Sequence, residues 1–367
     1  MRIHQSLLHY YKYTALLLYF MNKCILFCLF FGHTLGFNSD MCRDKQHEEW
    51  FCSYMQQHNK TYLALEVPSR KKLLKHGHHS YNVDGVTFGL TSRSDRFFRE
   101  KKFNMHLQKS THRSLQRPFN AEHSTMAAPS KLPPLDWRNV NGRSYVSPIK
   151  DQGDCGGCFA FASATVLEYW SKKDGTPQSL SPQILMDCTS HKSLPDDGCE
   201  GGLMEYVFEY ARRHPVPLET DHPFLNTDNE CPHEKLMSYV QVKNHKVLMK
   251  STVPLAERQL EALLYSYGPL SVGIDSRKME NYKSGVFKSH MCGKDIDHAV
   301  AIVGFTDSAW IVKNSWGSKW GMDGYIHIER GKNACGIAEY IVYVTDATPI
   351  HKKEWPKWNW KNGWDLF

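Results

Sequence analysis

The chain of 367 residues lacks an uninterrupted apolar run of about 20 residues, the length that a membrane-spanning helix needs. Its longest apolar stretch, Thr14–Phe31, is broken by an Asn-Lys pair that directly follows a second methionine, Met21. The short apolar run beyond this pair ends in small residues, which is the layout of a secretory signal. We therefore expect residues 1–36 to be a signal peptide, with Met21 as an alternative start. The chain should then enter the secretory pathway and reach a lysosome or the extracellular space, without a stable membrane anchor. A membrane anchor is the competing interpretation.

The main part of the chain also lacks a basic excess, although the formal net charge is +7. Residues 37–131 hold 16 Lys and Arg against 9 Asp and Glu, whereas residues 132–349 hold 22 against 27. The positive charge lies outside the main domain, so we expect no nucleic acid partner. A basic segment ahead of an acidic domain suits a bound, removable inhibitor, and chance drift in surface charge is the plainer alternative.

A second Cys-x-x-Cys pair is missing as well, so Cys155 and Cys158 have no partners for an all-cysteine zinc site. No strand-helix-strand pattern surrounds them, which disfavours a thioredoxin-like redox couple. We expect neither a metal nor a cofactor.

The number of cysteines is odd, because eleven are present and loss of the signal peptide removes two. Two more, Cys42 and Cys52, lie in the basic segment. The remaining seven are Cys155, Cys158, Cys188, Cys199, Cys231, Cys292 and Cys335. Seven cysteines in an oxidising compartment make three pairs and one unpaired thiol, and spacing alone does not say which one is free.

Helical and strand patterns occupy different parts of the main domain. Apolar or amphipathic helical patterns come first, at Phe159–Trp170, Leu180–Asp187 and Leu203–Arg213. Beyond Val240, β-branched residues and glycines predict strands, at Leu270–Ile274, Ala299–Phe305, Ala309–Val312, Tyr325–Glu329 and Tyr340–Val344. This segregation predicts two lobes with a cleft between them.

Two further helical patterns, Glu48–Tyr62 and Glu66–Lys75, precede the main domain. The first contains Asn59, which opens the only Asn-x-Ser/Thr sequon of the chain and is a predicted glycosylation site. Small residues and prolines in Thr125–Pro134 indicate an exposed linker and cleavage zone. The last residues, 350–367, carry four tryptophans among lysines. We expect an unstructured tail there, with binding to a partner or a membrane surface as the alternative.

Cys158 follows two glycines and opens the helical pattern. The positive end of a helix dipole favours a thiolate at this position. Glycines let a substrate backbone approach closely, and the backbone N–H of Cys158 can point at a developing oxyanion. The position therefore suits a nucleophile.

Three segments together resemble the papain-like cysteine peptidases, and in particular the cathepsin L-like group of papain and the lysosomal cysteine cathepsins. They are Gln152–Phe161, Asp297–Phe305 and Trp310–Gly321, in the order in which that family has its cysteine, histidine and asparagine segments. The resemblance implies a preproenzyme with an α+β, two-lobed fold, in which a helical lobe and a β-barrel-like lobe flank the cleft. It implies a signal peptide at 1–36, an inhibitory pro-region at 37–131, a mature domain at 132–349 and a tail at 350–367.

By this resemblance, Cys158 and His298 form a thiolate–imidazolium pair across the cleft. Asn314 accepts a hydrogen bond from the imidazole, and Trp316 shields that bond from water. The side-chain amide of Gln152 joins the backbone N–H of Cys158 in the oxyanion hole. The same resemblance implies disulfides Cys155–Cys199, Cys188–Cys231 and Cys292–Cys335, which leave Cys158 as the free thiol.

The resemblance also implies where a substrate binds. Gly201 and Gly202 lie at the cleft rim, where substrate backbone pairs as an extended strand. The pocket for the side chain two residues before the scissile bond is lined by apolar groups, namely Leu203, Met204, Gly273, Ile296 and Ala299, with Tyr340 at its floor. We expect a preference for a hydrophobic residue in that pocket.

The sequence departs from the family pattern at two positions beside the nucleophile. Phe159 replaces the usual tryptophan, and Ala162 replaces a serine. In the pro-region Gly85, Phe88 and Leu90 match loosely, but the family's acidic position is absent.

We therefore expect a cysteine endopeptidase made as a zymogen. The short span from Cys158 to Cys199 leaves no room for a long occluding insertion, which disfavours an exopeptidase. Expected partners are protein or peptide substrates, the chain's own pro-region and cystatin-like inhibitors. The alternative is a catalytically weak homologue that binds partners through its cleft or its tryptophan-rich tail.

Overall fold

The structure is a computed structural model that describes residues 36–37, 48–75, 77–96, 132–172, 175–189, 196–232, 238–249 and 257–350. Contacts divide the chain into two compact units, Met1–His78 and His79–Phe367. The expected signal peptide lies almost wholly outside the described residues, as do most of the cleavage zone and the tail beyond residue 350.

The described part of the first unit contains two short helices that fall within the predicted helical stretches. α1 (Glu49–Gln57) buries Phe51, Tyr54 and Met55, whose spacing of three and four residues places them on one face. α2 (Val67–Leu74) has a proline in its first turn, where the missing N–H is not needed for a helical hydrogen bond.

Asn59 lies just beyond α1, in the left-handed region with φ of 49°, and its side chain is exposed. A two-residue ladder follows, in which β1 (Gly36–Phe37) pairs with β2 (Tyr62–Leu63). The exposure of Asn59 suits glycosylation, which stays a prediction.

The described part of the second unit contains four α-helices. They are α3 (Cys158–Trp170), α4 (Pro182–Asp187), α5 (Met204–Arg213) and α6 (Glu257–Tyr267). α3 is buried along almost its whole length, as its apolar sequence predicts. α4 begins after Ser181, whose hydroxyl accepts the N–H of Ile184 at 3.1 Å. No described helix is long and apolar enough to cross a membrane.

The same unit contains strands β3 to β14, most of them short. Their bounds are β3 Tyr81–Val83, β4 Val86–Phe88, β5 Leu135–Asp136, β6 Val216–Pro217, β7 Ser238–Met249, β8 Leu270–Ile274, β9 Tyr282–Ser284, β10 Val286–Phe287, β11 His298–Phe305, β12 Ala309–Lys313, β13 Tyr325–Glu329 and β14 Tyr340–Pro349. The main sheet has the order β10-β13-β12-β11-β8-β14-β7-β6, with β5 beside β11. All its ladders are antiparallel except β10 with β13.

Two hydrophobic cores give this unit its lobes. One core packs α3, α4 and α5 together with parts of β7 and β14. The other packs α6 against β8, β11, β12 and β13. The predicted α+β, two-lobed fold is confirmed. The sheet, however, is an open path: its end strands, β10 and β6, do not pair with each other among the described residues, so it does not close into a barrel.

Three disulfides cross-link this unit: Cys155–Cys199, Cys188–Cys231 and Cys292–Cys335. They are the pairs that the family resemblance implies. Each closes a loop of 43 or 44 residues, and loops of that size stabilise a fold by about 4 kcal/mol through the lost entropy of the unfolded chain. Among the described cysteines, Cys158 alone is free.

A hairpin from the pro-region belongs to the second unit. β3 and β4 are joined by Asp84 and Gly85, which both have positive φ, at 50° and 81°, as a tight hairpin turn requires. β4 then pairs antiparallel with β9, so that the hairpin extends a small sheet. The chain continues from this hairpin to residue 96 along the site described next.

Candidate active site

Cys158 is the first residue of α3 and is 1% exposed. The preceding turn runs against the chain around Cys199, where the N–H of Gly156 donates to the Cys199 carbonyl at 2.8 Å. A Cβ at Gly156 would lie 2.5 Å from that same oxygen, so only glycine fits. The disulfide from Cys155 to Cys199 fixes the same contact covalently.

His298 begins β11, and Asn314 directly follows the neighbouring strand β12. The Nε2 of His298 donates to the Oδ1 of Asn314 at 2.8 Å. The indole ring of Trp316 stacks on the imidazole, with 4.9 Å between ring centroids and 27° between planes. All three side chains are buried, so the hydrogen bond lies away from water.

Cys158 and His298 begin two elements, α3 and β11, that pack against each other. The backbone N–H of Ala299, the residue after His298, donates to the Cys158 sulfur, as does that of Phe159. The structure therefore brings Cys158, His298, Asn314 and Trp316 into one site.

Burial governs the charges in this site. It raises the pKa of Cys158 to about 12, against the opposing effect of the two backbone N–H groups. It lowers the pKa of His298 to about 4, although the hydrogen bond to Asn314 raises it; the positive charge of Arg93 adds to the lowering. In this covered state the pair is therefore a neutral thiol beside a neutral imidazole.

Gln152 lies next to the nucleophile and is 2% exposed. Its Oε1 accepts the hydroxyl of Ser315 at 2.6 Å, and its Nε2 donates to the Cys155 carbonyl at 2.9 Å. A side-chain amide has two N–H donors, and the Cys155 carbonyl accepts one of them. These contacts hold the amide in a fixed orientation.

The residues expected to bind substrate fall into two groups. Leu203, Met204, Ala299 and Tyr340 lie in one apolar cluster, with Ile296 packed against it. Gly273 faces Ala299 across the β8–β11 ladder. Gly201 and Gly202 directly precede Leu203. Trp316 instead belongs to the core of the other lobe, next to His298.

Tyr340 has a partner that the sequence does not reveal. Its hydroxyl donates to Oε2 of Glu205 at 2.7 Å, and both side chains are buried. Burial raises the pKa of Glu205 to about 7, while the hydrogen bond from Tyr340 lowers it. A glutamate in the first turn of an amphipathic helix reads as a solvated residue, so no local pattern points to this pair.

A buried cluster of charges joins the lobes behind the site. Lys150 lies 3.1 Å from Oε1 of Glu168 and 2.5 Å from Glu219. Lys313, which precedes Asn314, donates to the Ser147 hydroxyl at 2.7 Å and lies 3.9 Å from Oε2 of Glu168. Burial lowers the pKa of Lys313 to about 8, while Glu168 opposes this. In the described sequence, the one local feature that points to this cluster is Lys313, a lysine at the end of an apolar strand.

Phe159 and Ala162, the two departures from the family pattern, are both buried. A Cβ at Gly202 would lie 2.7 Å from the Phe159 ring, so the ring packs directly under the rim glycines. Ala162 lines a small cavity together with Thr165, Asn314 and Ser315. Neither side chain contributes an atom to the hydrogen bonds of His298 or Gln152 described above, and Phe159 contacts the Cys158 sulfur through its backbone N–H only.

The pro-region chain covers the site beyond β4. The guanidinium of Arg93 lies over the Trp316 ring, 4.3 Å from its centroid. Arg96 donates to the Gly153 carbonyl at 2.8 Å and pairs with Asp154 at 2.5 Å. Sequence reasoning missed both arginines, because the family's acidic position is absent and a surface charge was the simpler reading.

Comparison with known proteins agrees with this geometry. A family model described as papain family cysteine protease matches residues 132–345. Cysteine proteinase 15A of Pisum sativum is 34% identical over 334 residues, covering 83% of this chain and 88% of the relative. Pro-cathepsin H of Mus musculus is 34% identical over 308 residues, covering 80% of this chain and 89% of the relative.

Among solved structures, digestive procathepsin L2 proteinase from the larval midgut of Tenebrio molitor superposes with a TM-score of 0.67 at 26% identity. The match covers 81% of this chain and 99% of that one. The matched relatives include precursors, which agrees with a pro-region ahead of the matched domain. The chain therefore belongs to the papain family of cysteine proteases and is a cysteine endopeptidase, a hydrolase with zymogen relatives.

Proposed function

We propose that the processed protein hydrolyses peptide bonds inside protein chains through Cys158, His298 and Asn314, with Gln152 in the oxyanion hole. One observation carries this proposal: a free thiol begins a helix that packs against the strand opened by a histidine, and that histidine is hydrogen-bonded to an asparagine and covered by a tryptophan. The remaining described cysteines of the mature domain are paired.

The reaction begins when the Cys158 thiol passes its proton to His298. The helix dipole of α3 favours the resulting thiolate, and Asn314 keeps the imidazolium oriented without adding a charge. The thiolate attacks the carbonyl carbon of the scissile bond. The carbonyl oxygen takes up the negative charge and accepts hydrogen bonds from the Cys158 N–H and the Gln152 amide.

The C–N bond then breaks, and the imidazolium of His298 gives its proton to the leaving amine. This leaves a thioester on Cys158. Water attacks the thioester while His298 accepts a proton from it, and the acid product leaves with the thiol restored. Each step uses a group that is already within the site.

The apolar cluster beside the rim glycines supports a preference for a hydrophobic side chain two residues before the scissile bond. We assign aliphatic side chains of this cluster to the pocket walls and Tyr340, whose hydroxyl donates to Glu205, to its floor. A closed floor favours medium-sized side chains over long ones.

The same reasoning extends to location and inhibitors. A chain with a signal-like leader and three disulfides suits the secretory pathway, with a lysosomal or extracellular destination. Its own pro-region is the first inhibitor, since Arg93 lies over the Trp316 ring. Cystatin-like proteins that enter the cleft are further candidates.

Labelling with an activated-epoxide thiol inhibitor tests the proposal. The precursor is processed, by itself or by an added protease, and then treated with the epoxide. We expect one adduct, located on Cys158 by mass spectrometry, and loss of hydrolysis of a peptide with blocked ends. Cys158→Ala should give neither an adduct nor hydrolysis. Absence of the adduct in the processed wild type, or unchanged hydrolysis by Cys158→Ala, would contradict the proposal.

A further inference from the structure

The pro-region segment that covers the site is held by specific contacts. The Thr91 hydroxyl donates to the Glu280 carbonyl at 2.7 Å, and the Ser94 hydroxyl donates to Oδ1 of Asn281 at 2.6 Å. Upstream, β4 pairs with β9. Arg93 lies between the two anchored residues, Thr91 and Ser94, and Arg96 follows two residues later. The anchors therefore fix the backbone from which both arginines extend.

Arg93 occupies a site built for a cation. Its side chain is 4% exposed, with the guanidinium 4.3 Å above the Trp316 ring and Nη1 3.5 Å from the Gly153 carbonyl. Burial lowers the pKa of Arg93 to about 9 and the nearby charge of Arg96 adds to the lowering, while the carboxylates of Glu280, Asp151 and Asp154 oppose both. An aromatic face with a carbonyl and three carboxylates around it is a recognised environment for a guanidinium.

Every acceptor in this site belongs to the mature domain, and both arginines belong to the segment that processing removes. Asp151 is tied to Trp316 by a backbone bridge, and its carboxylate accepts the N–H of Gly153 at 3.0 Å. The acceptors are therefore held by their own domain and should keep their places after the arginines have gone.

The position of this site relative to His298 indicates which part of a substrate can reach it. Trp316 stacks on His298, and in the proposed mechanism His298 protonates the leaving amine. The residues after the scissile bond therefore pass along this side, whereas the residues before it pair with Gly201 and Gly202. The site thus lies on the leaving-group side of the cleft.

We propose that this site in the processed enzyme binds a basic side chain of the substrate, preferably arginine, on the leaving-group side of the scissile bond. The proposal rests on the proposed function. Arginine should exceed lysine because a planar guanidinium stacks on an indole and donates to a carbonyl at the same time. An acidic side chain should be disfavoured by Asp151, Asp154 and Glu280.

Peptides that differ only after the scissile bond test substrate selection. A quenched fluorescent peptide series carries Arg, Lys, Ala or Glu at the first or second position after the bond. We expect kcat/KM to be about tenfold higher for Arg than for Ala at one of these positions, equal to about 1.4 kcal/mol, with Glu lowest. Equal values for Arg, Ala and Glu at both positions would overturn the proposal.

Two variants test the residues. Asp154→Asn should reduce the Arg-to-Ala ratio several-fold, because Asp154 is exposed and supplies a carboxylate to this site. The matched control is Asp221→Asn, an exposed carboxylate of the helical lobe, which should leave the ratio unchanged. An unchanged ratio in Asp154→Asn, with a normal rate on a coumarin amide that has no residue after the bond, would count against the assignment of Asp154.

A binding measurement separates this proposal from the proposed function. The processed enzyme, with Cys158 alkylated, is titrated with a peptide of residues 86–96 and with its Arg93→Ala and Arg93→Lys forms. We expect about tenfold weaker binding for Arg93→Ala and an intermediate loss for Arg93→Lys. Equal affinities would show that no cation site exists, whether or not the enzyme is active. Failure to hydrolyse the coumarin amide would instead refute the catalytic proposal, and the cation site would still be judged by this titration.

Discussion

Glu205 is a carboxyl group that folding keeps neutral. Burial raises its pKa to about 7 from the usual 4.5, although the Tyr340 hydroxyl stabilises the ionised form. In the unfolded chain the group ionises at its usual value. Its contribution to stability is therefore fully present below about pH 4.5 and is lost as the pH rises through about 7.

Replacing Glu205 with Gln should remove this pH dependence, because an amide accepts the same hydrogen bond and does not ionise. At pH 8 we expect Glu205→Gln to raise the free energy of unfolding by about 2 kcal/mol over the wild type, with little difference at pH 4. Thermal unfolding of the processed, epoxide-blocked enzyme at both pH values measures this. The control is the exposed Glu230→Gln. A gain at pH 4 as large as that at pH 8 would contradict the expectation.

At the scale of elements, strand β12 is tied to helix α3 by buried charge. Glu168, in α3, is fully buried and lies near both Lys150 and Lys313. It also accepts the N–H of Leu180 at 3.0 Å, so the segment that leads into α4 is held by the same cluster. Asn314 follows Lys313 directly, so the cluster helps to fix the residue that is hydrogen-bonded to His298.

Glu168→Gln should leave two buried lysines without this carboxylate. Breaking a buried ion pair from one side costs about 3 to 5 kcal/mol, because the remaining charge stays desolvated. For a domain of this size, we expect a fall in melting temperature of roughly 6 to 15 °C. Calorimetry of the epoxide-blocked enzyme measures it.

The matched control is Glu209→Gln in α5, which breaks half-exposed pairs with Arg212 and Arg213. Such surface pairs contribute less than about 1 kcal/mol, so the control should melt within a few degrees of the wild type. Similar melting temperatures for both variants would show that the buried cluster stabilises the fold no more than the surface pairs do.

Elements with a clear hydrophobic pattern were predictable from the sequence, but the way in which the strands pair was not. The strand Leu270–Ile274 and the helix that begins at Cys158 follow from uninterrupted apolar runs. α6 was missed because only four of its residues are buried and its first turn is charged. The sheet was expected to be barrel-like, but closure depends on which end strands pair, and that is a long-range property.

At the scale of the whole molecule, the expected pro-region is held over the site by two arginines, whose charge acid does not remove. Arg93 and Arg96 contact an aromatic ring, a carbonyl and the exposed Asp154. Facing Arg93 are also Asp151 and Glu280, and His298 stays neutral down to a pKa of about 4. On the hairpin, Asp84 lies 3.0 Å from His290.

The intact precursor should therefore not open on mild acidification alone. We expect the rate of epoxide labelling of Cys158 before any cleavage to be similar at pH 7 and pH 5. Arg93→Ala should label about tenfold faster at both values, because the cation over Trp316 is gone. Lys72→Ala, an exposed lysine of α2, is the control and should behave as the wild type. A large rise in labelling of the wild-type precursor at pH 5 would contradict this.

Sequence distance also decides which features of the site were predictable. The cysteine, histidine and asparagine segments carry local motifs, and the odd number of cysteines left one thiol over. Tyr340 and Glu205 are 135 residues apart, and Lys313 and Ser147 are 166 apart. No local pattern connects such pairs, and only folding brings them together.

The burial of Cys158 has a consequence for how the precursor matures. Thiol–disulfide exchange needs a thiolate with access to a sulfur, and Cys158 is 1% exposed, with its pKa raised to about 12. Cys155, three residues away, is already bonded to Cys199. A folded precursor thus withholds its most reactive sulfur from shuffling and from oxidation to sulfenic acid, and it can cross an oxidising compartment with the bridges intact.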